Sequence, residues 1–454
     1  MNEIKQFHEM SQEEKENLKH KIIENIKKYK AKNFLLDYDI DLISNAINTN
    51  KIPITAKDNI VTQHLRTTAG SRILDGFNTN CYDATIVKQL DQFIIFGKTN
   101  MDEFGFGTFG INSGFNAVKN AWEDELVAGG SSSGSGVAAQ VLPFPQIAES
   151  TGGSITAPAT FNGVLGFTPS YGAISRFGLI SYANSLDKIG FIGRSFADFE
   201  IVFRKTLIKD KFDPTHVPER VIKNDNKRLD QNKVVIVEEM LDADEKIKDK
   251  FYSFLEKNDI QYEIISMPIL KYALPTYYII SSAEASTNLA KYSGLRYGKI
   301  KNPFNKDYNE YFKEIRTKFF GEEAKRRMII GTFVRMQGLR DRFYWKAQQI
   351  RQLIINDFKK VFQKYDLIAL PSMPILPPTI KDAKKLSPLE TYMIDKLTIP
   401  PNLAGLPHLN FPIEKHIGIT FVANQFYDLP LLRFGNELSR NNKIRFVEEY
   451  GLWW

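Results

Sequence analysis

The strongest restriction on the fold is the alternation of short apolar runs with longer helical or loop stretches. Each run has the length of a β-strand, and the residues between successive runs are numerous enough for crossover connections. The five clearest runs are Ile52–Ala56, Phe93–Phe96, Val234–Val237, Asp366–Leu370 and Ile417–Val422. Strands that alternate with helices pack as layers, so the pattern predicts an α/β fold.

One helix is predicted near the N-terminus, from residue 11 to residue 31. Ser11 and Glu14 have the spacing of a capping box, in which two side chains satisfy free N–H groups of the first turn. Apolar residues then recur at helical spacing, namely Leu18, Ile22, Ile23, Ile26 and Tyr29.

The composition is that of a soluble globular protein. Hydrophobic residues make up 43% of the 454 positions and charged residues 25%, and no apolar run approaches the ~18 residues of a membrane-spanning helix. We therefore expect no membrane partner. The net charge of +7 is spread over 60 basic and 53 acidic residues, which permits contact with RNA without predicting it.

Two further features bear on the compartment. Cys81 is the single cysteine, which excludes an internal disulfide and fits a reducing compartment, and we expect it to be packed. The first 30 residues mix lysines with glutamates and contain no arginine, unlike a mitochondrial transit peptide. A cytoplasmic location is predicted, with the mitochondrial matrix as the alternative.

Two runs rich in glycine and serine indicate the chemistry. They are Gly129–Gly136 and Ser150–Ser154, and Lys57 lies upstream of both. A serine in a glycine-rich turn exposes its hydroxyl while neighbouring backbone N–H groups converge on one point, as a tetrahedral oxyanion requires. A lysine can serve as the base for such a nucleophile. The pattern therefore predicts a serine that cleaves an amide.

Three other kinds of site fit the sequence less well. Gly130–Gly134 matches the nucleophile elbow of α/β-hydrolases, and His408 and His416 are available. That elbow follows an apolar strand, whereas the segment from 121 to 128 is interrupted by three acidic residues at 123 to 125. A phosphate-binding loop would need a Lys-Ser/Thr ending. No histidine or cysteine has ligand spacing, so no metal site is predicted.

The motifs described so far resemble the amidase signature family. Its pattern joins a lysine in K-D-N, a G-G-S-S-G-G stretch and a D-T-G-G-S-I-R turn, which are similar to the sequence around Lys57, Ser131 and Ser154. The likeness covers nearly all of residues 50 to 195 and continues through Lys98–Gly105, Pro169–Gly172, Ser175–Gly178 and Ser185–Gly190. It implies the α/β amidase-signature fold, a large central mixed β-sheet covered by helices on both faces.

Within that family, the second half is similar to the glutaminase subunits of tRNA-dependent amidotransferases. The likeness lies in Tyr277–Ser286, Ala324–Phe333 and Leu397–Pro407. It implies that glutamine is hydrolysed and that its ammonia converts Glu-tRNA(Gln) to Gln-tRNA(Gln). A partner B subunit would bind the tRNA and supply ATP and magnesium, and a small C subunit or a substitute would join the two. No cofactor is expected in this chain.

The resemblance also implies catalytic roles. Ser154 would be the nucleophile, Ser131 the bridging serine after a cis peptide bond from Gly130, and Lys57 the base. A hydroxyl such as that of Ser131 can both donate and accept a hydrogen bond, as a proton relay requires. The oxyanion hole would be formed by backbone N–H groups of Thr151, Gly152 and Gly153.

Glutamine would be recognised by three residues of the second half. The resemblance places Arg327 on the α-carboxylate and Asp395 on the α-ammonium, with Tyr277 lining the pocket. The charges agree with these roles, because a guanidinium grips a carboxylate through two hydrogen bonds and an aspartate suits an ammonium.

Lys57 can act as a base only when its amine is uncharged. Lowering a lysine pKa from about 10.4 to roughly 7 costs about 4 to 5 kcal/mol, which requires burial away from opposite charge. Successive side chains of a strand point to opposite faces, so Lys57 can enter the site while Asp58 points away from it. We therefore expect a buried Lys57 without a carboxylate beside it.

Three positions depart from the family pattern. Ser150 replaces an aspartate and Thr156 an arginine, so two charges that could pair have been lost together. Ser133 replaces a glycine. Two alternatives therefore stay open beside the glutaminase: a stand-alone amidase that acts on another amide, and a scaffold protein of the same complex with weakened or lost activity.

The expected organisation is a single domain over residues 1 to 454. It consists of an N-terminal helical region (1 to 50), a catalytic core (51 to 205), a polar connection (206 to 233) and a half that carries the substrate pocket (234 to 454). The terminal Leu452–Trp454 could dock a partner or fold back onto the core.

Overall fold

The computed structural model describes residues 2–77, 81–222, 227–299 and 307–450, so the terminal Leu452–Trp454 and part of the connection lie outside the described residues. The strands are β1 Leu35–Tyr38, β2 Ile52–Lys57, β3 Phe93–Thr99, β4 Gln146–Ser150, β5 Leu165–Thr168, β6 Lys188–Gly193, β7 Val234–Val237, β8 Tyr262–Ile265, β9 Leu367–Pro371, β10 His408–Glu414 and β11 Ile417–Ala423. The helices are α1 Glu3–Glu9, α2 Gln12–Lys28, α3 Ile40–Asn48, α4 Thr85–Gln89, α5 Ser133–Val141, α6 Thr156–Asn162, α7 Phe196–Lys205, α8 Glu219–Ile222, α9 Glu245–Lys257, α10 Ala273–Asn288, α11 Tyr308–Phe319, α12 Glu322–Phe333, α13 Lys346–Lys364, α14 Ile380–Ala383, α15 Pro388–Met393, α16 Ile399–Leu403 and α17 Asp428–Asn441.

The eleven strands of the described residues form one mixed sheet, in the order β1-β3-β2-β4-β6-β5-β10-β11-β9-β7-β8. The β3/β2, β2/β4, β9/β7 and β7/β8 pairs are parallel and the others are antiparallel. The sheet therefore continues from strands before residues 206–233 to strands after them. The predicted large mixed sheet is confirmed.

Both faces of the sheet are covered. On β7, Val234 and Ile236 belong to one cluster of buried apolar side chains, whereas Val235 and Val237 belong to another. Neighbouring side chains on a strand point to opposite faces, so the two clusters lie on opposite sides of the sheet. A sheet buried on both faces by helices is the predicted α/β layering, which is confirmed.

The local predictions can be compared with these elements. Each of the five predicted runs overlaps a strand, and Ser11 with Glu14 forms the predicted capping box of α2. The helix ends at Lys28 rather than at residue 31, because the chain continues as a tight turn and enters the left-handed region at Asn33 (φ 58°). The prediction that Cys81 is packed is wrong, because its side chain is exposed.

The sheet places the segments that carry Lys57 and the Ser150–Ser154 run side by side. The neighbouring strands β3, β2 and β4 are parallel, so their carboxyl ends lie at one edge of the sheet. Lys57 is the last residue of β2 and Ser150 the last of β4. The loops that follow parallel strands at this edge are the usual place for a ligand site. No helix in the described part of the chain is long and apolar enough to cross a membrane.

Candidate active site

The first glycine-serine run folds as a tight turn that leads into α5. The peptide bond from Gly130 to Ser131 is cis, as predicted. A Cβ on Gly130 would lie 2.0 Å from Oδ2 of Asp102, so only glycine fits this position. Ser133 also fits, because Gly110 next to it has no side chain. A Cβ on Gly110 would lie only 2.6 Å from the Cβ of Ser133. The serine at position 133 therefore fills space left by another glycine.

Lys57 lies inside the molecule, with its side chain 0% exposed. Its Nζ donates to Ser131 Oγ at 2.8 Å and to the backbone oxygen of Glu149 at 3.0 Å. Asp58 points away from the site, and its Oδ2 accepts from the backbone N–H groups of Thr68 and Gly70 at 3.1 Å each. The opposite orientation of the two side chains is the one predicted from strand alternation.

The expectation that no carboxylate lies beside Lys57 is wrong. Oε2 of Glu149 is 2.8 Å from Lys57 Nζ, and the Glu149 side chain is 1% exposed. The physical reason is the pairing of β2 with β4, which brings the two side chains together across 92 positions of sequence. The sequence signal was present but missed: an acidic residue on the segment that leads directly into the nucleophile turn.

Glu149 is held by further hydrogen bonds. Asn59 Nδ2 donates to Oε2 at 3.1 Å, and Thr151 Oγ1 lies 2.9 Å from both Glu149 Oε1 and Asp187 Oδ1. Burial, and next the negative charge of Glu149, raise the pKa of Asp187 well above its ordinary value. A protonated Asp187 can donate to Thr151, which can then donate to Glu149. Each of the three side chains thus has a hydrogen-bond partner in this series.

The predicted nucleophile turn, Ser150–Ser154, lies against the cis turn at Gly130 and Ser131. Ser154 is 6% exposed, and its backbone oxygen accepts from Ser132 N at 3.2 Å. In the part of the chain that the structure describes, no hydrogen bond joins the hydroxyls of Ser131 and Ser154. The structure thus makes the contact between Lys57 and Ser131 and leaves the second step of the predicted relay unmade.

This turn buries backbone N–H groups that are not used by the described residues. Among the described residues, no hydrogen bond uses the backbone N–H of Thr151, Gly152 or Gly153. The carbonyl of Gly152 is held from the other side by Ser150 Oγ at 2.7 Å and Asn402 Nδ2 at 2.5 Å. Donors that are fixed and unpaired suit the stabilisation of developing negative charge.

Ser150 and Thr156, which stand where the family pattern has an aspartate and an arginine, have different surroundings. Ser150 bonds the Gly152 carbonyl, whereas the buried Thr156 Oγ1 has no hydrogen-bond partner among the described residues. Neither position leaves an unpaired charge. A buried hydroxyl without a partner does reduce stability, because it has lost its hydrogen bonds to water.

We therefore expect Thr156→Val to stabilise the protein. Valine keeps the shape of threonine and removes the unpartnered hydroxyl, so the free energy of unfolding should rise by about 1 kcal/mol in urea denaturation. The matched control is Thr160→Val one helical turn later, because Thr160 Oγ1 bonds Thr156 O and Asn410 Oδ1 at 2.8 Å each. That variant should be destabilised; equal effects in the two variants would contradict the prediction.

The predicted substrate residues come together beside the nucleophile turn. Tyr277 lies over it, with its hydroxyl 2.9 Å from where a Cβ of Gly152 would stand. Arg327 is buried, and its guanidinium lies 4.5 Å from the ring centroids of both Tyr278 and Tyr392. The two rings stack on each other with centroids 4.1 Å apart, and cation–π attraction to both helps to hold the guanidinium in place.

Arg327 is already partly engaged. Its Nε donates to Glu323 Oε1 at 2.6 Å and its Nη1 to the Tyr182 hydroxyl at 3.0 Å. No hydrogen bond among the described residues uses Nη2, so donors are left for a substrate carboxylate. Glu323 and Tyr182 were missed from sequence, although Glu323 stands one helical turn before Arg327, the spacing of a helix ion pair.

Asp395 lies on the other side of Tyr278. Its carboxylate accepts from the Tyr278 hydroxyl at 2.8 Å and from Thr108 Oγ1 at 2.9 and 3.0 Å. Burial raises the pKa of Asp395 to about 6. Tyr278 thus bridges the two predicted charge partners of glutamine, and its place directly after Tyr277 was the available signal.

Metal ligation is a separate question. No group of three or more His, Cys, Asp or Glu side chains that could hold a metal ion occurs among residues 2–77, 81–222, 227–299 and 307–450.

Comparison with known proteins places this fold and site in a family. A family model described as Amidase matches residues 49–432. The chain belongs to the amidase family.

Within that family, the curated relatives include the A subunit of glutamyl-tRNA(Gln) amidotransferase from Geobacillus sp. (strain WCH70), which is 44% identical over 86% of this chain and 82% of that protein. Its counterpart from Oceanobacillus iheyensis is 41% identical over 84% of this chain and 81% of that protein. Among solved structures, the A subunit of the same amidotransferase from Thermotoga maritima superposes with a TM-score of 0.78 at 28% identity, over 99% of this chain and 98% of that one. This chain is thus similar to these A subunits over nearly its whole length.

Proposed function

We propose that this chain is the glutaminase subunit of a tRNA-dependent amidotransferase. Ser154 attacks the side-chain amide of glutamine, ammonia leaves, and water hydrolyses the γ-glutamyl ester. The observation that carries the proposal is the buried contact between Lys57 Nζ and Ser131 Oγ at 2.8 Å, directly beside the turn of Ser154. The likeness to the A subunits of amidotransferases supports glutamine as the substrate.

The ammonia would then convert Glu-tRNA(Gln) to Gln-tRNA(Gln) on a partner. We infer that a B subunit binds the tRNA and supplies the ATP and magnesium chemistry, and that a small C subunit or a substitute joins the two. The predicted cytoplasmic location, with the mitochondrial matrix as the alternative, belongs to this proposal.

The test is ammonia release from glutamine. The chain is purified alone and with candidate B and C subunits, and ammonia is measured with glutamine and with simple amides such as acetamide. Release from glutamine by the complex supports the proposal. Robust turnover of simple amides by the isolated chain, together with no gain from the partners, would instead identify a stand-alone amidase.

Recognition of the α-ammonium gives a prediction for Asp395. Asp395→Asn should raise the KM for glutamine about 10- to 100-fold, because a charge-assisted hydrogen bond contributes about 1.5 to 3 kcal/mol. The wild-type KM should rise as the pH falls below about 6, since the carboxyl is then protonated and loses its charge. KM is measured from pH 5 to 8, with the exposed Asp382→Asn as control; an equal pH dependence in Asp395→Asn would contradict the role.

A second candidate function is that of a scaffold in the same complex, without glutaminase activity. Two observations favour it: the carboxylate of Glu149 contacts Lys57, and the hydroxyls of Ser131 and Ser154 are not joined. An ammonium that keeps its proton cannot act as a base. In this case Lys57→Ala would leave the activity of the complex unchanged.

A further inference from the structure

The contact between Glu149 and Lys57 raises a chemical problem. Lys57 donates to Ser131 Oγ, to Glu149 O and to Glu149 Oε2 at 2.8, 3.0 and 2.8 Å, so its three donor positions are all used as an ammonium would use them. An ammonium has no lone pair for the proton of Ser131. For Lys57 to accept that proton, one of its own protons has to leave.

The only carboxylate oxygen hydrogen-bonded to Lys57 in the described residues is Glu149 Oε2. It is as close to Nζ as Ser131 Oγ is, and both side chains are buried, so solvent cannot take the proton. In this buried environment, an ion pair and the neutral pair formed by moving one proton differ far less in free energy than they do in water.

We propose, on the basis of the proposed glutaminase function, that Glu149 is a positioning residue that holds the Lys57 amine against Ser131 and takes up the proton that Lys57 passes on. As Ser154 Oγ bonds to the amide carbon, its proton moves to Ser131 Oγ, the Ser131 proton moves to Lys57 Nζ, and one Lys57 proton moves to Glu149 Oε2. The carbonyl π-electrons move to the oxygen.

The reverse path completes the formation of the γ-glutamyl ester, which water then hydrolyses. When the carbon–nitrogen bond breaks, the proton on Glu149 returns through Lys57 and Ser131 to the leaving nitrogen, which departs as ammonia. Lys57 carries the same charge before and after each transfer. The relay requires the Ser154 hydroxyl to turn toward Ser131 when substrate binds.

The neighbours of Glu149 suit a carboxylate that takes up a proton and later releases it. Asn59 and Thr151 donate to it, and Asp187 faces it through Thr151 with a raised pKa, whose first cause is burial. Two further charged groups interact electrostatically with this cluster: Asp102 with Lys57, and Arg176 with Asp187. A Cβ on Gly105 would stand 3.8 Å from Glu149 Oε2 and 3.6 Å from Ser131 Oγ, so this glycine packs directly beside the relay.

The test is Glu149→Gln in the reconstituted complex, because two explanations predict opposite signs. If Glu149 takes up the proton, kcat for glutamine falls about 100-fold with KM within about twofold of wild type. If Glu149 only holds Lys57 as an inactive ammonium, the uncharged side chain introduced at position 149 lets Lys57 lose its proton, and kcat rises. Glu149→Asp keeps a carboxylate and should recover part of kcat.

Further measurements distinguish three outcomes: misfolding of the variant, failure of the relay, and failure of the proposed glutaminase function. Glu149→Gln leaves the buried Lys57 without its carboxylate, so its urea midpoint should be lower than that of wild type, and a cooperative transition with unchanged partner binding shows that the variant folds. A kcat–pH profile whose acid limb moves in Glu149→Gln and not in the exposed control Glu245→Gln supports the relay. A Glu149→Gln kcat equal to or above wild type overturns it while leaving the glutaminase function intact. A wild-type complex that releases no ammonia overturns both.

Discussion

Replacing Ser154 with alanine is expected to reduce ammonia release from glutamine by about 1,000-fold or more in the reconstituted complex. The loss follows from removal of the attacking oxygen, since the oxyanion donors and the binding pocket then act without a nucleophile. Alanine fits the space of serine, so the free energy of unfolding should stay within about 0.5 kcal/mol. The measurement is single-turnover ammonia release with saturating glutamine.

The matched control is Ser266→Ala, an exposed serine that bonds Glu239 Oε1 at 2.6 Å far from the turn. It should keep wild-type ammonia release. Binding of the partner subunits should be equal in wild type and both variants, which separates loss of chemistry from loss of assembly. Wild-type release by Ser154→Ala would rule out this serine as the nucleophile.

Replacing Lys57 with methionine is expected to affect activity and stability together. Ammonia release should fall about 100- to 10,000-fold, because the Ser131 hydroxyl loses the amine to which its proton would pass. The free energy of unfolding should fall by about 3 to 5 kcal/mol, because the buried carboxylate of Glu149 loses its cation. Ammonia release and urea denaturation report the two effects separately.

The double variant Lys57→Met/Glu149→Gln separates the two effects. Neutral side chains at both positions leave no buried unpaired charge, so stability should return close to wild type. Activity should stay lost, because neither side chain can accept a proton. A double variant as unstable as Lys57→Met alone would contradict the buried ion pair, and an active one would remove Lys57 from the mechanism.

Part of the fold could be predicted because its signals are local. The strands at Val234–Val237 and Ile417–Ala423 are apolar over their whole length, and the capping box of α2 needs only Ser11 and Glu14. By contrast, β4 was missed, because Gln146 and Glu149 are polar side chains in a central buried strand. Their burial is tolerated because other elements supply hydrogen bonds, which no local pattern reveals.

The candidate site shows the same division. The residues of the cis turn at Gly130 and of the nucleophile turn at Ser154 are contiguous motifs, so their chemistry could be inferred from residue types. The rings that hold Arg327 come from α10 and from the end of α15, more than 40 positions away on either side. Such contacts depend on helix packing and therefore required the structure.

The sequence by itself determined which groups are chemically able to react: a serine in each of two glycine-rich runs, and a lysine at the end of a strand. Only the tertiary structure decided what surrounds the lysine. Parallel pairing of β2 with β4 brings Glu149 to 2.8 Å from Lys57 in the buried interior, where the charge state of an amine depends on its immediate neighbours. Sequence spacing cannot determine those neighbours, because they come from strands whose residues lie 92 positions apart.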